Sequence, residues 1–253
     1  MVKLLKYLEN IREQVQKRHS YERLGDLYSD SKINRRRYHR HSLRSLSGCV
    51  VKFNNCAFEV QNLSYGGAGI YVPEEYWSKL PKGGIEFSAS LSILGMSCRT
   101  RMIMVFKQGS RIGLAFDLKD SALAGFLDST IYYLDAGLLL KRVSRNSVSS
   151  LFQGPSWNSY GSFNGNIEVH ISFGSDEQLE EVNISYLKAL RKEFVVFSHK
   201  ATTVGTFPDI QLDLVTKKKV LRRTLLIITG FRQIGGTKHF DGLIQSAIGL
   251  LKK

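Results

Sequence analysis

The sequence predicts a small β-rich barrel or sandwich closed by a helix, followed across a polar linker by a second, smaller α/β unit. Three observations carry this. Between Val50 and Phe116, short β-like runs alternate with turn signals at close spacing. At Ser121 the apolar spacing changes from that of strands to that of a helix. Residues 143–166 then become rich in Ser, Asn and Gly before apolar runs resume at Ile167. A chain of 253 residues has room for one large domain or two small ones, at about 100–200 residues per domain.

In order along the chain, Leu4, Leu8, Ile11 and Val15 recur at helical spacing and predict an N-terminal helical segment over residues 1–33. Residues 34–44, NRRRYHRHSLR, form a dense basic stretch. Val50–Phe53 and Ala57–Val60 predict strands around an Asn54-Asn55 turn. The stretch QNLSYGGAGIYV reads as a tight glycine-rich turn entering a strand. Ile85–Ile93, Cys98–Phe106 and Arg111–Phe116 predict further strands, punctuated by Lys82-Gly83-Gly84, Leu94-Gly95 and Gln108-Gly109-Ser110. Leu123, Phe126, Leu127, Ile131 and Leu134 predict the helix over about 121–141.

Within the linker, the aromatics Phe152, Trp157, Tyr160 and Phe163 are unusual and suggest docking. In the second unit, residues 167–253, Ile167–Phe173 predicts a strand and Asp176–Ala189, running on to about Phe194, a helix with an acidic first turn. Ile210–Val215 and Val220–Ile228 read as a strand pair around Lys217-Lys218-Lys219, with Phe240–Leu251 as a closing helix.

Composition narrows the class. Hydrophobic residues at 43% support a packed core, and charged residues at 23% argue against wholesale disorder. A net charge of +14 favours an anionic partner such as a nucleotide, nucleic acid or acidic lipid surface, against the plain alternative of a solvated basic surface. The three cysteines, Cys49, Cys56 and Cys98, are odd in number and nowhere spaced as CxxC, so they predict reduced thiols and a cytoplasmic protein. The charged N-terminal segment lacks the uninterrupted apolar stretch of a signal peptide, and no run of about 18 apolar residues predicts a membrane span.

Two motifs stand out together. Arg36-Arg37-Tyr38-His39-Arg40 is R-x-x-x-R, with Arg35 just before it, and Asn62-Leu63-Ser64-Tyr65-Gly66-Gly67 is N-x-S-x-x-G, beginning 22 positions later. Arginine offers a planar fork that pairs bidentately with guanine O6 and N7, bridges phosphate oxygens or stacks on a purine. An Asn/Ser turn can meet the remaining edges, and a glycine in it permits a positive φ and close backbone approach. Each half alone is commonplace: a solvated basic run and an ordinary turn.

In combination they resemble the PilZ family of bacterial cyclic di-GMP receptors. Gly67-Ala68-Gly69-Ile70-Tyr71-Val72 is similar to the strand after the family's turn, and Arg111-Ile112-Gly113-Leu114-Ala115-Phe116 to its late-strand signature. The resemblance covers residues 34–142 and implies a six-stranded antiparallel β-barrel with a following helix. It implies that Arg36 and Arg40 bind guanine and phosphate, that Arg35 adds a phosphate or stacking contact, and that Asn62 and Ser64 contact guanine and ribose-phosphate. Gly67 would keep the turn open to the ligand. Asn62 stands where many members carry Asp, so one charge-assisted bond is weakened.

The implied protein is a cyclic di-GMP sensor or adaptor with no further cofactor. Its arginine arm is mobile until ligand draws it onto the barrel, and residues 167–253 serve as an output or interaction domain for a protein partner. The signal would control motility, adhesion, exopolysaccharide or virulence. The charge of Arg35 beside Arg36 is compatible with one bound molecule or two.

The alternative is a nucleic-acid-binding protein using the arm and the basic cluster Lys217-Lys218-Lys219 with Arg222-Arg223, a cluster otherwise read as a solvated hairpin tip. A PilZ-like scaffold that binds only protein is a third reading, against which the retained motif residues argue. No Ser/His/Asp or metal-ligand spacing predicts an enzyme; His39-x-His41 is flanked by arginines that repel a cation. GFRQIGG at 230–236 lacks the Lys-Ser/Thr of a phosphate loop and reads as a connection between strand and helix.

Overall fold

In the computed structural model, the described residues are 38–253, apart from 118, 145–146, 163–164, 176–177, 189–190, 199–200, 208–210, 236–239 and 253. The expected N-terminal helix, Arg35 and Arg36 all lie outside them. The chain divides into residues 1–39 and a compact unit of residues 40–253.

The first half of the compact unit is a closed antiparallel barrel. Its strands are β1 His41–Ser42, β2 Val50–Phe53, β3 Cys56–Ser64, β4 Gly67–Tyr71, β5 Glu86–Ile93, β6 Met96–Gln108 and β7 Arg111–Phe116. They lie in the order β1-β3-β2-β5-β6-β7-β4, and the pairing of β4 with β3 closes six of them into a ring, with β1 added on β3. Alternation drives closure: Val51, Phe53, Phe58, Val60, Ile70, Leu91, Met102 and Leu114 point into one core while their strand neighbours face outward. The hairpins turn where the sequence signals them. Asn54 and Asn55 take φ of 48° and 59°, and Leu94-Gly95 takes 51° and 79°, the paired left-handed residues of a tight hairpin.

Helix α1, Ser121–Leu138, follows the barrel. Asp120 caps it, its carboxylate accepting from the Ala122 and Leu123 amides at 3.0 and 3.2 Å. The second half forms a six-stranded antiparallel meander: β8 Lys141–Arg142, β9 Trp157–Gly161, β10 Ile167–Phe173, β11 Leu179–Lys188, β12 Arg191–Ser198 and β13 Thr202–Phe207. Helices α2, Leu214–Gly235, and α3, Phe240–Lys252, follow.

Three expectations are corrected here. The segment expected as a helix from Asp176 is strand β11, because Val182, Ile184 and Tyr186 alternate into the core while the chain pairs with β10 and β12 on its two sides. Of the segments expected as two strands, 220–228 lies wholly in the single helix α2 and 214–215 open it, while 211–213 precede it without strand structure; α2 also contains the lysine cluster and Gly230. Residues 143–166 are more than a linker. They contain β8's partner β9 and a 3₁₀ turn at Ser150–Phe152. Their described aromatics dock as expected: Phe152 stacks on His170 at 3.8 Å and Tyr160 meets Phe231 at 4.7 Å, while Phe163 lies outside the described residues.

α1 and α2 cross at two glycines. A Cβ on Gly137 would stand 1.9 Å from the Ile227 carbonyl oxygen, and one on Gly230 would stand 1.9 Å from that of Leu134. Each helix thus presents a bare backbone to the other's carbonyl, and the barrel's helix is joined directly to the helical layer of the second sheet.

Candidate functional site

Arg40, the last residue of the first motif half, is brought to the second half by a two-residue strand. β1 pairs antiparallel with β3, His41 opposite Leu63 and Ser42 opposite Asn62. Arg40 precedes His41 and Ser64 follows Leu63, so the ladder directs both to the same end of β3. Arg40 is exposed, Asn62 half-buried and Ser64 buried.

Each residue of the turn is held for a local reason. The Asn62 amide lies over Gly69 on β4, where a Cβ would come within 2.5 Å of Nδ2. Asn62 Oδ1 is buried and has no hydrogen-bond partner among the described residues. A buried amide oxygen without a donor costs about 1–3 kcal/mol, so it favours a ligand that brings one. The Ser64 hydroxyl donates to the Gly67 carbonyl at 3.2 Å, closing the turn. Gly67 is not at positive φ. It is needed because β7 runs against it, and a Cβ there would lie 2.0 Å from the Leu114 carbonyl oxygen.

Residues that sequence reasoning did not assign to the site anchor it. His41 Nε2 lies 2.7 Å from the Asp135 carboxylate, both buried, which joins β1 to α1. Tyr65 donates from its hydroxyl to Asp128 at 3.0 Å, two helical turns before Asp135 on α1. β1, which follows Arg40, and the turn of the second motif half are therefore tied to one helix. The Ser42 amide donates to Gln233 Oε1 on α2 at 3.3 Å, and Ser47 and Ser45 share Gln245 of α3. The sequence carried a faint signal for Tyr65, which sits inside the motif; nothing in periodicity marks His41 as a core residue.

The basic cluster at 217–223 is not a hairpin tip. It lies on α2, where Arg223 donates to the buried Glu193 carboxylate at 3.1 Å and Arg222 to the Leu94 carbonyl at 2.8 Å. On the outer face of the second sheet, His170 bonds Ser159 at 2.9 Å with Phe152 stacked on its ring. The His170 ring, and after it the Lys192 ammonium, hold the Glu168 carboxyl down at about 2 against the opposing effect of partial burial. Ser159 and His170 are buried beneath this cover.

The three thiols are free. Burial pushes the Cys49 thiol up to about 12, which makes its thiolate about four orders of magnitude scarcer than the thiol at pH 8. Brief alkylation of the folded protein at that pH, mapped by mass spectrometry, is expected to leave Cys49 unlabelled until denaturant is added, and to label the half-buried Cys56 and Cys98 before it. Early labelling of Cys49 would contradict its burial.

No helix among the described residues is long and apolar enough to cross a membrane. No family model matches the chain, and no curated protein matches it. Among solved structures, the chain is similar to an uncharacterized Legionella protein at 20% identity and a TM-score of 0.29, over 36% of this chain and 88% of that one.

Proposed function

We propose that this protein is a receptor for cyclic di-GMP that couples the second messenger to a protein partner. The observation that carries the reading is the β1–β3 pairing, which puts the end of the R-x-x-x-R arm beside Asn62 and Ser64. The unpartnered Asn62 oxygen supplies an acceptor for a guanine N–H. Arg40, with Arg36 and Arg35 preceding it, supplies the cations for two phosphates. Ser64, whose proton is engaged by Gly67, acts only as an acceptor.

The transmission route follows the hydrogen bonds. Ligand on the arm biases β1 and the 64–67 turn. His41–Asp135 and Tyr65–Asp128 pass that bias to α1, and Ser42–Gln233 passes it to α2. The ligand shifts this equilibrium only by its preference for one arrangement of these contacts. The second sheet and the C-terminal helices offer the surface for the partner.

Isothermal titration of the full chain with cyclic di-GMP tests this, with GTP as control. Saturable binding is expected at micromolar affinity or tighter, about −8 kcal/mol. The double variant Arg36→Ala/Arg40→Ala is expected to abolish it. Asn62→Ala should weaken it about tenfold, the loss of one bond to a buried acceptor. No heat and no fluorescence change up to high micromolar ligand would overturn the reading.

A further inference from the structure

We propose that the barrel wall formed by β2, β5 and β6 is a second anion site, a trough that docks the phosphate backbone of a nucleic acid without reading its bases. Lys52, Ser90 and Arg99 stand opposite one another on three neighbouring strands, and Ser88 and Arg101 form the next rung. The central strand turns only small hydroxyls outward here, while Ala89 and Leu91 face the core. The cations of the flanking strands therefore rim a low serine floor. The resulting cavity, about 520 Å³, is lined by Lys52, Ser88, Ser90, Arg99, Arg101 and Asp120, with Ala89 and Thr100 beneath.

The charge in this trough is largely uncompensated. Among the described residues, no carboxylate forms an ion pair with Lys52 or Arg99. Arg101 meets Glu86 only at 3.8 Å with both side chains exposed, a contact of little worth. Asp120 contributes one carboxylate, whose Oδ1 also accepts from the first amides of α1, so the lining sets three cations against one anion.

The spacing suits a polyanion. Arg99 and Arg101 are about 6.6–6.8 Å apart along the strand, and Lys52 lies across the floor from Arg99 at about two strand spacings, roughly 10 Å. The first repeat is close to that of successive phosphates in an extended chain. Guanidinium forks pair bidentately with phosphate oxygens and serine hydroxyls donate between them. Among the described residues, no aromatic side chain lines the trough, so bases find no stacking platform in it and binding is independent of sequence. Nor does a large apolar side chain among them line it, which gives a lipid surface nothing to bury. The trough uses strands other than β3 and β4, so it does not depend on the cyclic di-GMP reading.

The test is fluorescence anisotropy of the full chain with labelled mixed-sequence oligonucleotides, single- and double-stranded, across a salt series. Each phosphate neutralised contributes about 0.7–0.9 to the log–log salt slope. Lys52→Ala/Arg99→Ala/Arg101→Ala is therefore expected to flatten that slope by about 2–3 and to weaken low-salt binding at least about tenfold, with thermal unfolding unchanged. Lys217→Ala/Lys218→Ala/Lys219→Ala, which removes equal charge elsewhere, should leave most of the slope in place, and so should Arg40→Ala. Equal losses in the two triple variants, or no loss in the first, would overturn the trough. Displacement of the oligonucleotide by polyglutamate at matched charge would overturn its assignment to phosphodiesters.

Discussion

Gly230→Val is expected to be severely damaging, costing about 3–5 kcal/mol and lowering Tm by about 10 °C. The obstacle is backbone. A side chain at 230 meets the Leu134 carbonyl oxygen at 1.9 Å, and one at 137 meets that of Ile227 at 1.9 Å. Neither carbonyl can rotate away without breaking the helix that contains it, so α1 and α2 must separate. Separation would withdraw Asp135 from His41 and Gln233 from Ser42, so the variant should also lose whatever the arm binds. Gly125→Ala on α1 and Gly242→Ala on α3 are the controls, since a Cβ at either meets nothing within 4 Å. They should gain about 0.5–1 kcal/mol of helix stability. Thermal unfolding followed by circular dichroism decides this, and equal Tm for Gly230→Val and Gly242→Ala would refute the close crossing.

The second large effect is expected at Glu193→Ala, about 3–5 kcal/mol. Its carboxylate is 1% exposed and lies between Arg191 at 3.2 Å and Arg223 at 3.1 Å. Arg191 is more than one-third exposed, so the loss there is screened and small. Arg223, mostly buried beside the Tyr133 ring, would be left as a charge under the second sheet with its carboxylate removed. Glu193→Gln keeps one acceptor and should cost less. The double change Glu193→Leu/Arg223→Met removes both charges together and should recover most of the stability, because the penalty comes from an unpaired ion more than from a lost bond. Denaturant unfolding of the wild type, Glu193→Leu, Arg223→Met and the double variant gives the coupling. A double variant as unstable as the sum of the single ones would show that the two residues do not act as a pair.

The barrel was legible because its residues obey one rule at a time. Arg111–Phe116 alternates strictly and is strand β7 over those same residues, and Asn54-Asn55 is the left-handed turn that its residue types suggest. The helical layer failed for the opposite reason. From Thr224 to Phe231 every residue of α2 is buried, between α1 and the second sheet, so the run carries no polar face and no 3.6-residue period. A run of Leu, Ile and Thr without that period looks like a buried strand. β11 failed because Asp176 and Glu177 in the sequence imitate the acidic start of a helix, whereas the decisive signal was the alternation of Val182, Ile184 and Tyr186. At the candidate site, Arg40, Asn62, Ser64 and Gly67 are proposed from spacing and resemblance, but the residues they pack among cannot be read there. β1 is two residues long, too short for any periodicity, and His41 in a run of arginines gives no hint that it is buried on Asp135.

The bonds that hold β1 also order events in time. Both sheets are built from neighbours in sequence, chiefly hairpins that can close as soon as they exist. Ser42 instead waits for Gln233, 191 residues later, and Ser47 for Gln245, 198 residues later. At a synthesis rate of about 5–20 residues per second, that is a delay of about 10–40 s on the ribosome. The stretch that begins at Arg40 is therefore made well before it is secured, and it reaches its final footing only when α2 and α3 arrive.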